Sequence, residues 1–370
     1  MAIYLIFLIC IYIVSAKETK RLTEHDLVFF TLLTIVSGFR YDVGTDYFSY
    51  VRYFERIESG LSSPAEPGFN IISSIVSTLN MNSQVVFLVF SILTMFFIYK
   101  GVKYYADDKY FYKPVFYIIF IIFTFIPSLN GMRQALAAAI VLYASRFIIE
   151  KKFFRYIVWI FIAIGFHFSS IIFIAFYFVI NRKYKTVILL SILFITFVIA
   201  RLGLINTILE YILANYKFLD VGGYIDNYLK SSYNQREIQF GIVFYINFLV
   251  LVLFIFLQDR IRKDSKDTLV FNMFFLYVFS GVLSMGAPMF SRLTYYFSIY
   301  MAIYIPKFTT IFNKKSQKTI EYILVILYSA LFLFIIIRGY LNPGSTDYIP
   351  YNYNFDIFNK EANMEGMLWD

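Results

Sequence analysis

Twelve apolar stretches follow one another along this chain, near residues 2–16, 26–39, 83–100, 114–127, 132–149, 154–167, 168–180, 185–202, 238–257, 268–285, 289–306 and 320–338. A hydrocarbon core asks for roughly 20 apolar residues per helical crossing, with a range of about 17–25. Lipid offers the backbone no hydrogen-bond partner, so runs of this kind must pair their amides internally, as helices. The expected fold is an all-α polytopic integral membrane protein with about twelve transmembrane helices, several of them short enough to be interfacial or re-entrant. "GFHFSS" interrupts the run 154–180, which reads either as two crossings or as one long tilted helix. Only 15% of the 370 residues are charged and 60% are hydrophobic, whereas about a quarter of a soluble domain is charged. No long polar block remains for a soluble domain. Residues 1–370 therefore read as a single transmembrane domain with external segments at 40–80, 201–237 and 338–370.

The loops set the orientation. If segments 17–21, 100–113, 150–155, 181–185, 258–267 and 307–319 face inward, they hold 21 of the 33 Lys and Arg, as the positive-inside bias requires. Both termini then lie outside, and 154–180 must cross twice. The apolar N-terminus lacks a basic leader and reads as a first span rather than a cleavable signal. Topology accounts for the net charge of +9, so no nucleic-acid partner is expected. A single cysteine, Cys10, excludes an internal disulfide. With two histidines beside it, no metal site is expected. No phosphate loop, dinucleotide fingerprint or zinc motif occurs, and no cofactor is expected.

Cation type separates more sharply than cation number. The inward loops carry 16 Lys and 5 Arg, whereas the outer segments carry 8 Arg and 3 Lys. Arginine's planar fork suits bidentate contact to phosphate, which a lysine ammonium does not reproduce. The outer arginines either pair with Asp46, Glu55 and Glu58 or meet an anionic ligand.

Four clusters map to the outer face. In "GFRYDVGTDYFSYVRYFERIESG", Asp42–Asp46 reads as a turn, Thr45 as a helix cap, and Tyr47, Tyr50, Val51, Phe54 and Ile57 as one face of an interfacial helix. In the following segment Phe69, Ile72, Ile75, Val76 and Leu79 repeat at helical spacing behind Pro67. Glu66 there is either a helix-start acid or a ligand contact. In "SLNGMRQALAAAI", Arg133 enters a helix N-terminus, where the helix dipole disfavours a cation. It needs a bound anion or a partner carboxylate. His167 in "GFHFSS" is either a hydrogen-bonded structural group or a general base or phosphate contact, while His25 reads as an interfacial polar residue. In "MGAPMFSRLTYY", Gly286 and Pro288 break the chain before Arg292, which echoes Arg133.

These pieces in this order resemble the EpsG-like family of bacterial polysaccharide polymerases, relatives of the Wzy-type O-antigen and capsule polymerases. The matching elements are Arg40 with "VGTDYFSY", "EPGF" at 66–69, "NGMRQALAAAI" at 130–140, "FHFSS" at 166–170 and "SRLTYYF" at 291–297. The resemblance implies a helical membrane fold distantly like the lipid-linked glycosyltransferases. It also implies substrates that are undecaprenyl-diphosphate-linked oligosaccharide repeat units, at the outer face of the bacterial inner membrane. Flippase and chain-length regulator proteins are the expected neighbours, with membrane lipids around them. On that footing Arg40, Arg133 and Arg292 are expected to clamp the diphosphate. Asp46 or His167 would serve as base for the acceptor hydroxyl, and Glu66, Gln134 and Tyr295 would contact sugar. Two other classes stay open: a flippase or transporter of the same lipid-linked substrate, and a membrane O-acyltransferase of envelope sugars.

Overall fold

Among the described residues the apolar runs form helices. The computed structural model describes residues 24–106, 111–215, 226, 229–230, 242–341, 352–353 and 355. The expected span at 2–16, Cys10, most of the loop after 215 and most of the C-terminal tail lie outside the described residues. In chain order the elements are α1 (Glu24–Gly38), β1 (Arg40–Tyr41), α2 (Tyr47–Glu58), α3 (Pro67–Thr78), α4 (Ser83–Ala106), α5 (Lys113–Phe120), α6 (Met132–Ile149), α7 (Phe153–Phe166) and α8 (Phe173–Val179). They continue as α9 (Thr186–Arg201), α10 (Leu204–Asn215), α11 (Ile242–Phe256), α12 (Gln258–Ile261), α13 (Ser265–Ser284), α14 (Thr294–Phe308), α15 (Lys314–Leu341) and β2 (Asn352–Tyr353).

Among the described residues, α4, α6, α13 and α15 are long and apolar enough to cross a membrane. Helices α9 and α10 pass the same test together but bend by 85° at their junction, as a broken span or a re-entrant loop. Five shorter apolar helices accompany them: Asp26–Gly38, Lys113–Ser128, Phe153–Phe166, Phe168–Val179 and Phe244–Phe256. This is the helical membrane architecture expected. Helix length supports four or five full crossings, and the count of twelve is not confirmed by it. Part of the expected external loop 201–237 is also helical, because "LINTILEYILAN" brings Ile205 and Leu209 onto one buried face of α10.

The contacts divide the chain into two compact units, residues 1–178 with 305–370, and residues 179–304. In the first, α6 packs between α4 and α7, and α1 lies against α4. Small residues make this possible: Ala135, Ala137, Ala138, Ala139 and Ala144 of α6 are all buried, and small faces let membrane helices approach closely. From α4, Gly101 meets α6 so tightly that a Cβ there would lie 2.6 Å from Leu142 Cγ. Helix α5 runs through a π-helical turn, Ile121–Phe125, immediately ahead of Pro127. A wide turn there accommodates a residue that has no N–H for the helical ladder. A buried ion pair ties α1 to α5, with Lys113 Nζ 2.7 Å from Asp26 Oδ2 and the Tyr117 hydroxyl donating to Asp26 Oδ1. Removing one partner of such a pair costs about 3–5 kcal/mol.

The run 154–180 is a hairpin, not one long helix. Helix α7 ends at Phe166, His167 is extended (φ −157, ψ 119), and a 3-10 turn over Phe168–Ile172 leads into α8. The chain then returns along itself. Phe153 at the start of α7 meets Tyr177 at 4.9 Å between ring centroids, and the Tyr156 hydroxyl donates to the Phe173 carbonyl at 2.6 Å.

In the second unit α13 packs against α9 and α11, and the 3-10 turn Pro288–Leu293 packs on α13. Gly281 and Gly286 sit at close approaches, 2.7 Å from Phe244 Cε2 and 2.8 Å from Ile205 Cδ1 for a built Cβ.

Candidate active site

The "DVGTD" stretch folds as a turn that closes on another turn. Gly44 takes φ +93, and a Cβ there would lie 2.9 Å from Asn130 Cα. Only glycine satisfies both the backbone angle and the approach. Asn130 Oδ1 accepts from the Asp46 backbone N–H at 2.9 Å and from the Thr45 hydroxyl at 3.2 Å. Thr45, expected to cap α2, therefore bonds across to the α6 turn instead. Asp46 occupies the cap position, and its side chain makes no cap bond. One asparagine thus fastens the first sequence cluster to the second.

Arg133 lies in the first turn of α6 and points back at α3. Its Nη1 donates to Glu66 Oε2 in a close ion pair across 67 positions of sequence. The other oxygen, Glu66 Oε1, lies 2.9 Å from His167 Nδ1, across 101 positions. Glu66 stands at the cap position of α3 but makes no side-chain cap bond; its carboxylate is turned to Arg133 and His167. Gly68 lets this happen. A Cβ there would lie 2.7 Å from Phe166 Cδ1 and 2.8 Å from the Gly165 carbonyl oxygen, so α3 can rest directly on the last turn of α7. Pro67 starts the helix without an N–H to satisfy.

The periodic apolar set of α3 splits between two surroundings. Phe69 and Val76 are buried, while Ile75 and Leu79 are exposed on the far side together with Ile71. The buried face of α2 carries Tyr47, Tyr50, Val51 and Phe54, as expected. From this helix the Tyr50 and Tyr53 rings flank Arg133, with centroids 5.5 and 5.7 Å from its Cζ. Each such contact is worth about 0.5–1 kcal/mol at exposed sites and about 2 when desolvated.

The electrostatics of the cluster are mixed. Burial alone would raise the Glu66 carboxyl, but the His167 hydrogen bond and the Arg133 charge outweigh it and hold the group below its ordinary range. Burial pushes the Tyr50 hydroxyl up to about 12 despite the neighbouring Arg133 charge. The site thus offers a fixed cation, a fixed anion and an imidazole in one hydrogen-bonded chain. Arg133 and Glu66 retain side-chain exposures of 19% and 16%.

The remaining expected residues fall elsewhere. Arg40 is 1% exposed, donates from Nη1 to the Ser37 carbonyl at 2.6 Å and stacks 4.7 Å from the Phe87 ring centroid. Its backbone pairs in β1 with Tyr353 of β2. The Arg40 guanidinium, expected in the clamp, is enclosed there beside Ser37 and Phe87. Gln134, expected to touch sugar, is likewise buried in the bundle. Asp46 is exposed at the start of α2. Arg292, exposed, and Tyr295, half-buried, belong to the second unit. The cluster of Glu66, Arg133 and His167 is built wholly within the first.

Two features were missed in the sequence: Asn130 as the fastener, and Glu66 as the joint between Arg133 and His167. The run acid–Pro–Gly at 66–68 was the available signal, since proline presets a helix start and glycine permits a close contact there. Gly68→Ala should push α3 off α7 and separate Glu66 from His167. The expected result is normal protein level with loss of the Glu66–His167 hydrogen bond, read from the His167 nitrogen-15 signals in a His25→Gln protein.

No curated protein and no solved structure matches this chain. A family model does, over residues 25–353, which takes in both units and every residue of the cluster. With its helical membrane fold and its ordered motifs, the protein belongs to the EpsG family.

Proposed function

We propose that the protein is a polysaccharide polymerase that moves a growing glycan from undecaprenyl diphosphate to a sugar hydroxyl of another lipid-linked repeat unit. The observation that carries this reading is the convergence of "EPGF", "NGMRQ" and "FHFSS" on one hydrogen-bonded cluster of Glu66, Arg133 and His167. The reaction breaks the bond between the anomeric carbon and the diphosphate oxygen, and the diphosphate departs with the electron pair. Arg133 stabilises that charge, with further N–H donors beyond the one given to Glu66. The acceptor oxygen attacks the anomeric carbon, and its proton passes to a base, His167 or Asp46. Tyr53 beside Arg133 offers an aromatic face to sugar. The 21-of-33 cation bias supports placing this chemistry at the outer face of the bacterial inner membrane.

A strain lacking the protein tests the reading. Surface polysaccharide should shrink to single repeat units on the lipid carrier or its acceptor. Full-length chains in that strain would end the polymerase reading. A block before any repeat unit reaches the outer face would point to a flippase.

A further inference from the structure

We infer that Glu66 is the positioning residue of a Glu66–His167 dyad, and that it makes Nε2 of His167 the base that receives the acceptor hydroxyl proton. This rests on the polymerase reading and decides between its two candidate bases. Arg133 comes first in the chain of control. Its guanidinium is always charged, and its Nη1 donates to Glu66 Oε2. Together with the bond to His167, that charge keeps Glu66 ionised against the effect of burial. A carboxylate only accepts hydrogen bonds. Across the 2.9 Å contact between Glu66 Oε1 and Nδ1, the proton must therefore sit on His167. A neutral imidazole carries one N–H, so Nε2 is left with the lone pair.

The hairpin holds the His167 backbone, and Glu66 Oε1 holds its ring. The His167 N–H donates to the Ala163 carbonyl at 2.9 Å, and its own carbonyl accepts from the Ser170 N–H at 3.1 Å. In the transfer step the acceptor oxygen bonds to the anomeric carbon as the diphosphate leaves, and the hydroxyl proton goes to Nε2. The resulting imidazolium donates Nδ1–H to the Glu66 carboxylate, which stabilises it as the orienting carboxylate of a catalytic triad does.

Glu66→Gln is nearly isosteric and tests the idea. Arg133 would still donate to the amide oxygen, turning the amide N–H₂ toward His167. Nδ1 must then accept, and the ring proton moves to Nε2. Purified full-length protein acting on lipid-linked repeat units should lose about 10²–10⁴-fold in turnover, the range of general acid–base catalysis. Donor affinity should not weaken, because Arg133 keeps its charge and loses a competing carboxylate. Glu66→Asp retains the carboxylate and should recover part of the turnover.

A second measurement needs no activity. The chain has two histidines, His25 and His167, so a His25→Gln protein labelled with nitrogen-15 histidine reports on His167 alone. Its NMR spectrum in lipid nanodiscs should show the proton on Nδ1 in the parent and on Nε2 after Glu66→Gln. A parent proton on Nε2, or parent-like turnover in Glu66→Gln, would overturn the dyad. A parent protein that extends no chains would sink the polymerase reading and the base role with it, while the tautomer still decides whether Glu66 positions the ring.

Discussion

Arg133→Ala is expected to abolish chain extension and to weaken binding of the lipid-linked donor. Arg133 is the one cation of the cluster and lies in the first turn of α6, where the helix end already favours an anion. Part of the alanine effect would fall on folding, since Glu66 would lose its partner. Breaking a fully buried pair costs about 3–5 kcal/mol, and the residual exposure of this pair makes the cost smaller. Arg133→Lys is therefore the decisive variant. It keeps the charge and can keep the Glu66 ion pair, but it lacks the planar fork. Loss of one charge-assisted hydrogen bond, about 1.5–3 kcal/mol, corresponds to about 10- to 150-fold weaker donor binding. Donor binding by purified protein in detergent or nanodiscs measures it directly. Parental donor affinity in both variants would remove Arg133 from the diphosphate site and leave it as the structural partner of Glu66.

His167→Ala should separate turnover from binding in the opposite way. The imidazole bonds to Glu66 and is not the fixed charge proposed to hold the donor, so donor affinity should hold. Turnover should fall by about 10²–10⁴-fold. His167→Asn or His167→Gln fills much of the same space and can still donate to Glu66 Oε1. If the ring is needed only for packing and that bond, these variants should restore chain extension. If it is a base, they should be as slow as alanine. Near-normal turnover in His167→Ala would pass the role to Asp46, whose carboxylate stands exposed at the start of α2. Single-turnover extension on lipid-linked repeat units, with donor saturating, reads the difference without interference from product release.

Much of this architecture was legible before any coordinates. Membrane residence followed from run length, because lipid admits no other way to satisfy a backbone. The faces of α2 followed from spacing, since Tyr47, Tyr50, Val51 and Phe54 recur at the helical period. The break at "GFHFSS" was visible too, but its geometry was not. A run of apolar residues reads alike whether it continues or turns back, and the contact between Phe153 and Tyr177 makes the difference. Span lengths were less legible for the same reason. The π-helical turn before Pro127 and the bend at Gly203 shorten or divide helices whose composition is continuous.

By itself the sequence determined that this is a helical membrane protein, that arginine and lysine concentrate in different segments, and which motifs carry the family resemblance. Those properties depend on residue type and local order, and both are written in the chain. Only the tertiary structure decided how the motifs pair. Arg40 and Arg133 look alike in the sequence, yet one is enclosed beside Phe87 and the other reaches Glu66. Glu66 reads locally as a helix-start acid, yet it bonds to residues 67 and 101 positions away. Such pairings depend on close approaches between helices, set here by Gly44 on Asn130 and Gly68 on Phe166. A missing Cβ permits an approach, but only the packed bundle specifies which neighbour fills the space.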